Sequence, residues 1–287
     1  MARLSAKKII IAVVAGALVA LVFASRVQLK NFVQDLSRPE LPAPKSAAEF
    51  QDFSPMAAKP PARILAKTLP HKLALKSTKA PPQPASPPAA IAADLPAEIN
   101  LDIPFASQAP FGNWEMPYQE ACEEAAVIMA HYYLTGATLS AEKMNEEILK
   151  LVEWEKKTFG FYEDTNGAET ARMLTEYFGD ADVEVRYGAD VTIENIKREV
   201  AAGHPVILLA AGRLLPNPNF KPPGPLYHAL IIRGYTKNGL IITNDPGTYK
   251  GKNFLYAPDV LYNAIHEWDA NNILDGKKVM IVVSGGG

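Results

Sequence analysis

One cysteine, Cys122, stands among 287 residues, so no intramolecular disulfide can staple the chain and a disulfide scaffold is excluded. Glycines cluster only at Gly285–Gly287, which leaves no glycine-rich loop to cradle a phosphate. No set of His, Cys or carboxylate residues shows zinc-like spacing, and no segment recurs at a solenoid period; neither a metal, a cofactor nor a repeat architecture is expected. A single apolar run approaches membrane length, which rules out a polytopic membrane protein. Positive charge is scarce in the second part. Residues 99–287 hold 16 Lys+Arg against 25 Asp+Glu, which argues against a basic, nucleic-acid-binding domain.

The first part is the reverse. Residues 1–98 hold 13 Lys+Arg against 6 Asp+Glu, and 13 of the 24 prolines fall between Pro39 and Pro96. Ile9–Ala24 runs for 16 residues without a charge behind Arg3, Lys7 and Lys8. Residues 1–28 therefore read as a signal peptide or a single transmembrane anchor, with Val22 and Ala24 offering a cleavage site before Ser25. Lysines ahead of the run place the N-terminus in the cytoplasm and the body outside it, secreted or tethered to the membrane. Residues 29–98, rich in Pro, Ala and Lys, bury too little apolar surface to offset their ordering entropy and are expected to be a disordered linker. A coil of about 70 residues spans roughly 45 Å. Residues 99–287 are long enough for one substantial core.

Within that body the patterning predicts helices over 120–134, 141–158, 169–178 and 193–202, with Ser140, Thr165 or Asn166, and Thr192 as caps. Strands are predicted at 183–187, 205–211, 228–235, 239–244 and 279–284. Helices first and a mostly antiparallel sheet later define an α+β fold.

A lone thiol is at home as a small buried apolar side chain. Cys122 has a second reading, because Pro117 is tolerated only in a first helical turn, which puts Cys122 near a helix start, where N–H groups and the macrodipole favour thiolate. A thiolate nucleophile needs a histidine base and a group to orient it. His71 lies in the linker, and His131 is nine residues along the same helix, about 13 Å away. His204 follows a glycine, and His266 sits in a polar segment. His228, in contrast, opens an apolar strand after the proline-rich stretch 216–225. The turn Tyr235–Gly239 then folds the next strand back, bringing Asp245 within a few positions of His228, with Asn244 as a second candidate orienter. Gln108 and, behind it, Gln119 are the amides that could serve an oxyanion.

Three segments, IPFASQAPFGNW, YQEACEEAAVIMA and YHALIIRGYTKNGLIITNDPG, resemble the double-glycine bacteriocin-processing peptidases, family thirty-nine of the cysteine peptidases, within the papain-like superfamily. The resemblance covers Leu101 to about Pro258. It implies a papain-like fold, Cys122 as nucleophile, His228 as base, Asp245 as orienter, Gln108 in the oxyanion hole, and a peptide, protein or peptidoglycan-peptide substrate. The chain departs from the transporter-linked branch in having Glu123 and Glu124 where Gly usually follows the cysteine, and in placing Gln108 fourteen residues before it. Carboxylates facing the sulfur oppose thiolate formation; at a helix start they only serve the dipole. Two other outcomes remain open from the residues: a non-catalytic peptide- or cell-wall-binding module on the same fold, with Trp114, Tyr118, Tyr227 and the 215–225 loop lining its cleft, and a transamidase.

Overall fold

A nine-residue strand, Tyr227–Tyr235, with Ala229–Ile232 at its centre, is buried along its whole length, and the domain is arranged around it. The structure, a computed structural model, describes residues 38–51, 95–180 and 182–284. In chain order the elements are α1 (Ala48–Gln51), β1 (Ile99–Asn100), α2 (Cys122–Thr135), α3 (Ala141–Thr158) and α4 (Gly167–Arg172), the last running into a π-helical turn, Met173–Phe178. There follow β2 (Asp182–Tyr187), α5 (Ile193–Ala201), β3 (Val206–Ala211), β4 (Tyr227–Tyr235), β5 (Ile241–Asn244), β6 (Phe254–Tyr256), α6 (Pro258–Ala264) and β7 (Val279–Ser284). The strands pair antiparallel in the order β2-β7-β3-β4-β5-β6, and β1 adds to the far end of β4. This is the expected α+β class.

Most element ends follow from local chemistry. Ser140 accepts from the Lys143 N–H at the head of α3, Thr192 accepts from Asn195 N–H at the head of α5, and Asn166 with Glu169 closes a capping box on α4. Gly234 has a steric role: β1 crosses so near that a Cβ there would collide with the Ile99 carbonyl. β4 carries an irregularity between Ile232 and Gly234 at the same point.

α2 differs from the amphipathic helix the sequence suggests. Cys122 to Ala130 are buried without interruption, so α2 runs through the core, packed on β4 and against α3. The short elements β1, β6 and α6, of two, three and seven residues, were not anticipated; so few residues carry too little pattern to read.

The expectation of disorder from residue 29 to 98 is corrected at Pro42–Gln51. Lys45 N–H donates to Asn100 O (2.8 Å), Asp102 N–H to Lys45 O (2.6 Å), and Asn100 Nδ2 to Pro42 O (3.1 Å). Ala47 and Phe50 pack on the core, with the Phe50 ring filling the space that a side chain at Gly203 would need. A few backbone bonds and one aromatic anchor offset the ordering cost that composition alone leaves unmet. The apolar run Ile9–Ala24 and residues 52–94 of the proline-rich stretch lie outside the described residues. Among the described residues no helix is long and apolar enough to cross a membrane.

Candidate active site

The β4–β5 hairpin decides which side chains meet. Ile231 pairs with Asn244, so Asp245 lies opposite Leu230 and on the same face as His228. His228 Nε2 and Asp245 Oδ1 are 2.8 Å apart, both side chains fully buried. Asp245 accepts three further bonds: Gly247 N–H on Oδ1 (3.1 Å), and Asn217 Nδ2 (3.0 Å) and Tyr256 Oη–H (2.7 Å) on Oδ2. Burial alone raises its pKa. The charge and hydrogen bond of His228, with the donors Tyr256 and Asn217, outweigh that and hold the carboxyl below the usual range. An ionised Asp245 can only accept, so Nε2 carries a proton, and Nδ1 is the ring nitrogen that Asp245 does not engage.

The surroundings of the imidazole are tight. A Cβ at Gly247 would stand 2.8 Å from His228 Cε1, so glycine is required there. Phe220, in the proline-rich 216–225 loop, meets the ring edge-on with centroids 5.2 Å apart. Neither Asn217 nor Tyr256 was foreseen. Asn217 lies between two prolines in a stretch that reads as loop, and Tyr256 lies on a three-residue strand. Asn244, the second candidate orienter, points the other way: its amide donates to the carbonyls of Ile103 and Pro104 and its Oδ1 accepts from Arg233 (3.2 Å). Alternation along β5 puts neighbours on opposite faces.

Cys122 is the first residue of α2, as its distance from Pro117 predicts. Its sulfur lies near β4, where the Ala229 N–H, next to His228, acts to lower the thiol's pKa. The helix start does not make it a thiolate. Burial first, then the charge and hydrogen bond of Glu123, push the thiol well above its ordinary range, against the Ala229 N–H. Sγ lies 2.9 Å from Glu123 Oε2, and among the described residues no hydrogen bond joins it to His228. Glu123 Oε1 in turn accepts from Thr165 N–H (3.0 Å). The two acidic residues thus face inward: Glu123 is 2% exposed and Glu124 0%. Glu124 faces Glu155 of α3, and the carboxyl oxygens of both are buried without a donor from any other described residue, so binding protons is the way to neutralise them. Burial raises Glu124 well above the usual range and Glu155 to about 9.

Gln108 is buried beside the Asp245 turn, where its N–H and the Ser107 hydroxyl both reach Pro246 O (3.1 and 3.0 Å). Its Nε2 donates to the carbonyls of Tyr118 (2.9 Å) and Gln119 (3.2 Å), and its Oε1 is buried without a partner. At rest both amide hydrogens therefore hold the loop leading into α2. Gln119 is exposed, with its amide toward Met116 Sδ. Tyr118 and Tyr227 are tied to Asn145 (2.6 Å) and Thr165 O (2.7 Å), so neither is a free cleft wall, whereas Trp114 is exposed.

A cysteine thus heads a core helix, and a buried His–Asp pair sits on the adjoining hairpin of an antiparallel sheet. A family model described as Peptidase_C39 like family matches residues 100–270, and the chain belongs to that family. Solved structures similar to it include a C39-like peptidase from Bacillus anthracis, 16% identical with a TM-score of 0.45, covering 66% of this chain and 99% of that one. A fragment of Prevotella intermedia prointerpain A is 18% identical (TM-score 0.34; 51% of this chain, 43% of that one). The interpain A cysteine protease of the same organism is 21% identical (TM-score 0.31; 55% and 64%). No curated protein matches.

Proposed function

We propose that the domain is a thiol hydrolase of peptide or amide bonds. Cys122 Sγ attacks the carbonyl carbon while His228 Nδ1 takes the thiol proton; Asp245 stabilises the imidazolium and fixes its tautomer. The imidazolium then protonates the leaving amine, and water, deprotonated by the same ring, releases the acyl group from sulfur. The Cys122 N–H, in the first turn where no intrahelical carbonyl can take it, is one oxyanion donor. Gln108 is the second, once its amide turns from the Tyr118 and Gln119 carbonyls. The observation that carries the proposal is the buried His228–Asp245 pair, 2.8 Å apart and held by three further donors on Asp245.

Because burial and Glu123 oppose the thiolate, labelling of Cys122 by iodoacetamide near neutral pH is expected to depend on proton transfer to His228, so His228→Ala slows it, and Cys122→Ser abolishes peptide hydrolysis. Labelling that ignores His228 would sink the proposal. The resting thiol, turned to Glu123, is the observation that favours a non-catalytic peptide-binding module instead; in that case Cys122→Ser leaves peptide binding intact and there is no hydrolysis to lose.

We further propose that the enzyme works outside the cytoplasm, anchored or exported by residues 1–28, on peptides, proteins or peptidoglycan cross-links. The charge-free run Ile9–Ala24 behind Lys7 and Lys8 supports this. Deleting residues 1–28 is expected to leave the protein in the cytosolic fraction; an unchanged distribution refutes it.

A further inference from the structure

The mechanism above leaves Glu123 without a task. Consecutive residues of a helix point about 100° apart, yet Cys122 Sγ and Glu123 Oε2 lie 2.9 Å from each other. The contact is held from outside the helix: Thr165 N–H fixes Oε1 at 3.0 Å, and the Thr165 carbonyl accepts the Tyr227 hydroxyl of β4 at 2.7 Å. A buried carboxyl has thus been fastened to the nucleophile by groups from two other parts of the fold.

We infer that Glu123 is a positioning residue that gates the nucleophile: protonated, its O–H donates to Sγ and leaves the thiol proton to His228; ionised, it takes the thiol's hydrogen bond and holds the sulfur inert. The inference rests on the proposed role of Cys122. In the open state the thiol proton passes to His228 Nδ1, giving thiolate, imidazolium and a neutral carboxyl. The closed state has one proton fewer, released to solvent, and comprises thiol, neutral imidazole and carboxylate. Moving the thiol proton to His228 from the closed state would set two buried anions side by side.

The titratable groups that act on Glu123 are Cys122 and Glu124 of its own helix, Glu155 of α3, Asp164 ahead of α4 and Tyr227 of β4, and His228, paired with Asp245, is the next residue along β4. Apart from the imidazole all are acids, which favours the proton-bearing form. Burial lifts the Glu123 carboxyl to about 8, aided by Asp164 and opposed by the hydrogen bonds from Cys122, its own N–H and Thr165. The gate is therefore open below about pH 8 and closes above it. An ordinary cysteine does the opposite, gaining thiolate as pH rises.

The far-ultraviolet thiolate absorbance of Cys122, the one cysteine of the chain, is followed against pH with Cys122→Ser as blank. The wild-type signal is expected to fall above about pH 8, approaching tenfold per unit until the thiol itself ionises. Glu123→Gln, whose amide remains a neutral donor, keeps its signal through that range. A wild-type signal that rises steadily with pH, or that is absent at neutral pH, overturns the gate, as does coincidence of the two profiles. Should Glu123→Gln not fold, the sign of the wild-type slope alone decides. His228→Ala reports on the underlying role separately: if it leaves the neutral-pH thiolate signal unchanged, the Cys122–His228 pairing fails whatever Glu123 does.

Discussion

Tyr256→Phe removes a single hydroxyl from the least solvated part of the site, and its consequences can be worked out from the four hydrogen bonds to Asp245. The Tyr256 Oη–H to Oδ2 bond is 2.7 Å long and fully buried. A hydrogen bond to a charged group contributes about 1.5–3 kcal/mol. Oδ2 keeps the Asn217 amide (3.0 Å) and the phenyl ring fills the same space, so neither a bare carboxylate oxygen nor a large cavity adds to the loss. Asp245 is held below its ordinary range in the folded state. Its contribution is therefore present above the unfolded value of about 3.9 and lost as pH falls through the folded value. Weakening the hold raises the folded value toward the unfolded one. Urea unfolding of the full chain should show Tyr256→Phe less stable by about 1.5–3 kcal/mol at neutral pH, with the two stability curves converging in acid. A neutral-pH loss below about 0.5 kcal/mol, the size of an ordinary surface change, or a gap that persists into strong acid, would refute the role given to this hydroxyl.

Arg233 is buried, and its guanidinium donates to Asn100 Oδ1 (2.8 Å), Ile103 O (3.0 Å) and Asn244 Oδ1 (3.2 Å). Arg233→Met should lower stability by about 1–3 kcal/mol, chiefly through the orphaned Asn100 oxygen; a thermal melt that does not move would contradict this. Glu124→Gln replaces one member of the Glu124–Glu155 pair with a neutral donor. Both carboxyls are raised in the folded state, so their protons favour folding in acid and that advantage is lost as pH rises toward about 9. The variant should accordingly show a higher urea midpoint at alkaline pH and a flatter pH dependence than the parent; an unchanged alkaline limb would refute the protonation of this pair.

Where pattern and chemistry coincide, the fold was legible in the sequence. The hairpin turn after Tyr235 fixes register, so the approach of His228 to Asp245 is already implied by two strands and a loop. Cap residues mark α3 and α5 for the same reason, since hydroxyls satisfy first-turn N–H groups at a fixed spacing. Asn217 and Tyr256 were not legible, because each reaches Asp245 across tertiary distance from a segment without periodicity. Residues 42–51 fold against the domain through backbone bonds that leave no trace in composition.

For the acidic pair after Cys122 the residues leave two outcomes open, facing the sulfur or serving the dipole, and the structure realises the first for Glu123. On an amphipathic helix the 100° step between neighbours would leave at least one of Glu123 and Glu124 in water, serving the dipole. α2 is instead covered on every side through Ala130, by β4 and α3 among others, and the two glutamates are carried inward with the nucleophile. Inside the core water cannot offset their charge, and Glu123 rises to about 8 and Glu155 to about 9. Proton binding is then the least costly way to neutralise them. The burial that sets Cys122 against β4 therefore also sets the protonation of its neighbours, and the proposed gate on the sulfur follows from it.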